Sequence, residues 1–182
     1  MALSHAIMTA LLEEDLSGYE LAKRFDNSLG YFWRASHQQI YKELRKMADS
    51  TWVSATSVAQ SGKPNKVIYK LSPLGKENLD QWVRAAGKAP PAKDDFLVKL
   101  FNVGHSDVAP ILAELESRQR ASQERLTLFL QIRRKHPIAP ESLPDSQKGR
   151  YLTLILGIRH EEANQQWYED ARALLLTVGT NA

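Results

Sequence analysis

The apolar positions of this chain change period twice, from helical to alternating and back to helical. Leu3, Ile7, Ala10 and Leu11 recur as one face of a first helix, with Ser4 as its early cap and Glu13-Glu14-Asp15 near its end. Ser17-Gly18-Tyr19-Glu20 is a capping box. It opens a second helix with Leu21, Ala22, Phe25 and Leu29 inward, which Gly30 ends. After a short connection, Tyr31 to Ala35, the pair Ser36 and Gln39 forms another capping box. Ile40, Leu44 and Met47 then make the apolar stripe of a third helix. Residues 52–58 and 66–71 are rich in β-branched and aromatic residues, and Gln60-Ser61-Gly62-Lys63-Pro64-Asn65 between them is turn chemistry. The spacing predicts a hairpin in which Val67, Tyr69 and Leu71 share a face. Ser72-Pro73 starts a fourth helix through Leu74, Leu79, Trp82 and Val83, and Gly87-Lys88-Ala89-Pro90-Pro91 breaks it.

Beyond that break the pattern is helical throughout. Phe96, Leu97, Leu100 and Phe101 predict a short helix before Gly104. A long helix from Ser106 carries Val108, Leu112, Leu115, Leu126 and Phe129 on a seam that Gln119 and Ser122 interrupt, and it ends near His136-Pro137. Residues 137–149 are a proline-bearing loop. A second long helix from about Gln147 shows Tyr151, Leu154, Ile155 and Ile158, then Trp167, Tyr168, Leu174 and Leu175. Helices of about thirty residues are roughly 45 Å long, and two of them paired leave apolar surface that they cannot hide alone. The expected fold is therefore mainly α. It has a DNA-binding type of domain over residues 1–86, a linker over 87–93 and a helical dimerisation domain over 94–182.

The outer face of the third helix carries the candidate chemistry. At about 100° per residue, Gln38, Tyr41, Lys42 and Arg45 lie opposite the apolar stripe. Arg and Lys pair phosphates or guanine edges, Gln pairs adenine, and a phenol reaches phosphate. Ser36, Gln39 and Lys46 flank that face, and His37 sits about 60° round from Ile40, at the edge of the stripe. Three helices with a tight turn before the third make a helix-turn-helix order, and the hairpin that follows stands where a wing would. Its tip is Gly62-Lys63 and its shoulder Lys66. A solvated basic helix and a lysine-protected hairpin account for the same residues taken singly, but not for the order of elements.

Charge distribution sharpens this. In residues 1–30, Lys23 and Arg24 face Glu13, Glu14, Asp15, Glu20 and Asp26. In residues 31–76, Arg34, Lys42, Arg45, Lys46, Lys63, Lys66, Lys70 and Lys76 face only Glu43 and Asp49. A basic block beside a candidate recognition helix suits a polyanionic partner.

The 182 residues suffice for one large or two small domains, and 43% hydrophobic with 25% charged residues is ordinary globular composition. The absence of Cys rules out thiolate chemistry and fits a reducing compartment. The run Ala2 to Leu12 is too short to span a bilayer and lacks a basic leader, so the expectation is a cytoplasmic protein with no membrane partner. No nucleotide, hydrolase or zinc-protease motif occurs. His5, His37, His105, His136 and His160 are scattered. Neither an enzyme, nor a metal, nor a cofactor is expected.

Gly18-Tyr19-Glu20-Leu21, the segment from Gly30 to Leu44, and Gly62-Lys63-Pro64 before Tyr69 closely resemble the PadR family of bacterial transcriptional regulators. The tail, with Phe96 to Leu100 and Tyr151-Leu152 to Trp167, resembles the branch of phenolic-acid-responsive repressors and AphA-like activators. The resemblance implies a winged helix-turn-helix with a helical dimerisation domain, binding pseudo-palindromic operator DNA as a homodimer. By position, the helix from Ser36 would enter the major groove, Gly62-Lys63 would be the wing tip, and Tyr41 would contact phosphate. Tyr19, Trp33, His37, Tyr151, His160 and Trp167 offer apolar walls with one hydrogen bond each, as a small planar aromatic acid would need, although all six also suit plain packing. The expected function is a repressor released by such an effector. An activator working with a partner regulator, and a winged-helix protein-interaction module without DNA affinity, are the alternatives.

Overall fold

The computed structural model describes residues 2–27, 35–59, 65–87, 93–135 and 139–178. The chain forms two compact units, Met1–Pro90 and Pro91–Ala182.

The first unit runs α1 (Ala2–Leu11), β1 (Leu16–Ser17), α2 (Gly18–Asn27), α3 (His37–Asp49), β2 (Val53–Val58), β3 (Lys66–Leu71) and α4 (Pro73–Arg84). Helices pack through Ile7, Met8, Leu21, Phe25, Ile40, Leu44 and Met47, all essentially free of solvent. Burying side chains of this size contributes about 1.5–3 kcal/mol each, which is what holds short helices that would not persist alone. Ser4 is not a cap: α1 already starts at Ala2, and Ser4 is buried within it. Leu29 and Gly30, assigned to the end of α2, lie outside the described residues.

The sheet has the order β1-β3-β2 and is antiparallel. The hairpin register sets Val53 opposite Leu71 and Val58 opposite Lys66. β1 is only two residues long and pairs Leu16 with Tyr69 and Ser17 with Ile68. Its sequence gives no strand signal, because both partners come from more than fifty residues away. Ser72 caps α4 by accepting from the Gly75 amide at 3.0 Å, and its own hydroxyl donates to the Thr51 carbonyl at 2.6 Å. On α4 the exposed Trp82 stacks on the buried His5 of α1, with ring centroids 4.5 Å apart.

The second unit comprises α5 (Asp95–Leu100), α6 (Ala109–Lys135), a 3₁₀ turn (Pro140–Ser142) and α7 (Asp145–Leu175). α6 starts three residues later than the apolar pattern suggests, after Asp107 accepts from the Ala109 amide. Asp94 caps α5 and also receives both Arg118 terminal nitrogens, at 2.8 and 3.0 Å. The guanidinium lies 4.7 Å from the centroid of the buried Phe96 ring.

α6 and α7 pair along their length. Gln119 and Ser122, which interrupt the apolar seam, are where α7 reaches across with polar groups. The buried Ser122 hydroxyl donates to Glu161 Oε2 at 2.7 Å, and Gln165 donates to the Gln119 carbonyl at 3.1 Å. Arg125 Nε donates to Glu161 Oε1 at 2.5 Å. Burial raises the Glu161 carboxyl, but the hydrogen bonds from Arg125 and Ser122 outweigh it and hold the group below its ordinary pKa.

Candidate nucleic-acid interface

α3 carries its own N-terminal cap. The Ser36 hydroxyl accepts from the Gln39 amide at 3.2 Å, while Gln39 Oε1 accepts from the Ser36 amide at 2.8 Å. The two open amides are thereby satisfied inside the helix. Ile40, Leu44 and Met47 bury one side, and Gln38, Tyr41, Lys42 and Arg45 are exposed on the other within an arc of about 100°. Lys42 and Arg45 make no ion pair among the described residues, so their charges face solvent. Lys46 reaches Glu43 at only 3.6 Å, with Lys46 largely exposed.

The Tyr41 ring stands at the edge of this arc, against the backbone of Gly18 at the start of α2. A Cβ on Gly18 would stand 2.4 Å from Tyr41 Cε1.

The other proposed contacts differ in availability. Ser36 and Gln39 are exposed, but each already serves the cap. Lys66 is tied: its ammonium donates to Glu20 Oε1 at 2.7 Å. Glu20 Oε2 in turn accepts from the Ser17 amide and hydroxyl at 2.9 and 2.8 Å. Lys70 lies 3.5 Å from Asp15. Two cations of the hairpin are thus compensated by Asp15, just before α2, and Glu20, in its first turn. That pairing joins residues far apart in sequence, and no local signal announces it. Gly62 and Lys63, the expected tip, lie outside the described residues.

The six residues assigned to an effector are divided between the two units. Trp33 lies outside the described residues. Tyr19 and His37 are exposed on the first unit. Tyr151, His160 and Trp167 all belong to α7. Tyr151 and His160 are nine residues apart and so about 180° apart around the helix. Trp167 is about 24 Å along the axis from Tyr151, and it packs edge-on against Phe96 and Tyr168. One small ligand cannot touch all three in one chain.

Among the described residues, no three His, Cys, Asp or Glu side chains are grouped to hold a metal ion. Nor, among those residues, is any helix long and apolar enough to cross a membrane.

Residues 7–81 match the transcriptional regulator PadR-like family, and residues 92–175 match the family described as virulence activator alpha C-term. The chain is 37% identical to the probable transcriptional regulator Rv1176c of Mycobacterium tuberculosis, over 96% of this chain and 98% of that one. The chain belongs to the PadR-like family. PadR of Bacillus subtilis, a negative transcriptional regulator, is 28% identical over 95% of this chain and 97% of its own. Its structure in complex with operator DNA aligns with a TM-score of 0.81 at 27% identity, covering 96% of this chain and 99% of that chain. The Vibrio cholerae virulence activator AphA aligns at 0.79 and 30% identity, covering 96% and 98%. The winged-helix fold with its C-terminal helical region is thus that of PadR and AphA, and this PadR-like chain is a transcriptional regulator rather than an enzyme.

Proposed function

We propose that this chain is a homodimeric repressor that binds a pseudo-palindromic operator and leaves it when a small aromatic acid binds. The observation that carries the DNA half is the exposed arc of α3. Two cations with no ion pair among the described residues, an amide and a phenol stand together on a capped helix, opposite its buried stripe. Such a face supplies phosphate contacts for position and amide or guanidinium contacts for base reading.

Dimerisation is supported by α7. Leu152, Leu156, Ala163, Trp167 and Leu174 fall within about 60° of one another on the helix. Leu152, Leu156 and Leu174 are each about two-thirds exposed. They lie away from the face that Ile158, Glu161 and Tyr168 turn toward α6. A solvent-facing row of leucines this long suits a second copy of the same helix, and each leucine buried would contribute about 1.5–2 kcal/mol. A twofold dimer would present two α3 helices to successive major grooves about 34–36 Å apart.

The repressor and effector parts rest on the likeness to Bacillus subtilis PadR. That protein is a negative regulator, and its structure with p-coumaric acid aligns at a TM-score of 0.75 and 25% identity. An effector would release DNA by favouring a dimer whose recognition helices no longer match the groove spacing. A second reading, an activator working with a partner regulator, is favoured by the match of residues 92–175 to the virulence-activator family.

Fluorescence anisotropy on DNA from just upstream of the chain's own gene separates them. Specific binding that weakens on adding p-coumarate supports the ligand-released repressor. Specific binding that p-coumarate leaves unmoved removes the phenolic effector and favours the activator. No preference over scrambled DNA at low salt removes both.

A further inference from the structure

We infer that Gly18 is a positioning residue for DNA binding, because only the missing side chain at this position lets the Tyr41 ring stand on the DNA-facing arc of α3. The inference rests on the reading of α3 as the DNA-reading helix.

Three atoms of the Tyr41 ring crowd the place where a Cβ would stand, Cε1 at 2.4 Å and Cδ1 and Cζ at 3.0 Å. Real Cβ contacts are not found at the shorter distance, so one partner must move. Gly18 is held from both sides and cannot. Before it, Leu16 and Ser17 are paired to Tyr69 and Ile68 of β3. After it, the Glu20 amide donates to the Ser17 hydroxyl at 3.2 Å, and the Glu20 carboxylate closes back onto the Ser17 amide and onto Lys66. Tyr41, by contrast, is a single side chain with 39% of its surface exposed. The ring is therefore what yields. A Cβ at position 18 would lift it off α2 and change where its hydroxyl points, leaving the helices in place.

The seat has a second consequence. The same residues that fix Gly18 tie α2 to the hairpin through β3, so Tyr41 is referenced to the hairpin as well as to its own helix. Helix propensity alone predicts the opposite of a harmful substitution. Ala is favoured over Gly in a helix, and a glycine with no steric duty would be improved by the change.

The test is a double-mutant cycle of Gly18→Ala and Tyr41→Ala on the full chain, read by DNA anisotropy and by thermal unfolding. With wild type bound to the upstream duplex, Gly18→Ala should weaken binding about tenfold, the scale of one lost hydrogen bond to a charged oxygen. Tyr41→Ala should weaken it similarly, and the double variant no further than Tyr41→Ala alone. Unfolding reads the same contact without DNA. Gly18→Ala should raise the midpoint more when made on Tyr41→Ala than on wild type, because the ring no longer occupies the space. Gly18→Ala binding as tightly as wild type would overturn the inference, as would single losses that multiply in the double variant or a midpoint change of equal size in both backgrounds. If wild type itself binds no duplex, the reading of α3 fails, and the unfolding arm still decides whether Gly18 seats Tyr41.

Discussion

Lys66 Nζ donates to Glu20 Oε1 at 2.7 Å, joining the shoulder of the hairpin to the capping box of α2 across 46 positions of sequence. The carboxylate serves two masters, since its other oxygen accepts from the Ser17 amide and hydroxyl. The hydrogen bond from Lys66, followed by those from Ser17, brings the Glu20 pKa from 4.5 down to about 2.

A depressed carboxylate stabilises the fold in its ionised form. The contribution is complete above the unfolded value near 4.5 and disappears as pH falls toward 2. Glu20→Gln keeps an oxygen for Ser17 but loses the ion pair. The pair is partly exposed, so the variant should be less stable at pH 7 by only about 0.5 kcal/mol. That deficit should shrink between pH 4.5 and 2. Thermal unfolding of both proteins across pH checks the sign, and a deficit that grows on acidification would contradict it.

Arg125→Ala is expected to be far more costly. Among the described residues it leaves Glu161, 6% exposed by its side chain, with only Ser122 and the longer contact from Asn164. Removing one partner of a buried pair costs about 3–5 kcal/mol, and the partial exposure of Arg125 puts this case near the lower figure. Urea unfolding at fixed protein concentration measures it. Replacing Glu161 and Arg125 together by Leu and Met should recover most of the loss, since no charge then remains unpaired.

Gly75→Ala tests a contact with no freedom to relax. A Cβ there would stand 2.2 Å from the Trp52 carbonyl oxygen, which also accepts from the Ser72 amide at 3.0 Å. Backbone must shift, so the variant should lose about 2 kcal/mol or more, in the range of overpacked cores, despite the better helix former. An unchanged or raised unfolding midpoint would contradict this packing of α4 on the turn before β2.

Leu156→Asp with Leu174→Asp addresses the proposed dimer. Both side chains face solvent in one chain, at 67% and 70% exposure, so folding should survive the change. Sedimentation should report a dimer for wild type and a monomer for the variant, with helix content by circular dichroism unaltered. Equal association states would move the dimer interface elsewhere.

What was legible in the sequence is what neighbouring residues decide. Ser36 with Gln39, Ser17 with Glu20 and Ser72 before Pro73 each mark a helix start because the cap is made within one turn, and all three hold. The stripe of Ile40, Leu44 and Met47 likewise follows from period alone. Pairing at a distance was not legible. β1 is too short to show alternation, Lys66 gives no sign of its carboxylate, and Ser122 reads as a flaw in a seam until Glu161 is seen against it. Tyr151, His160 and Trp167, three of the six residues assigned to an effector, are turned by a single helix to different sides and heights, which residue type alone does not show.

The claim that the exposed arc of α3 reads DNA is tested most directly by comparing wild type with Arg45→Ala on the upstream duplex across a salt series. The account predicts that wild-type affinity falls steeply as salt rises, because phosphate contacts release counterions. It predicts that Arg45→Ala weakens binding by about 1–3 kcal/mol if it meets a base edge, or lowers the salt slope by about one if it meets phosphate. Affinity indifferent to salt, or an Arg45→Ala variant that binds as wild type does with the same slope, would contradict it.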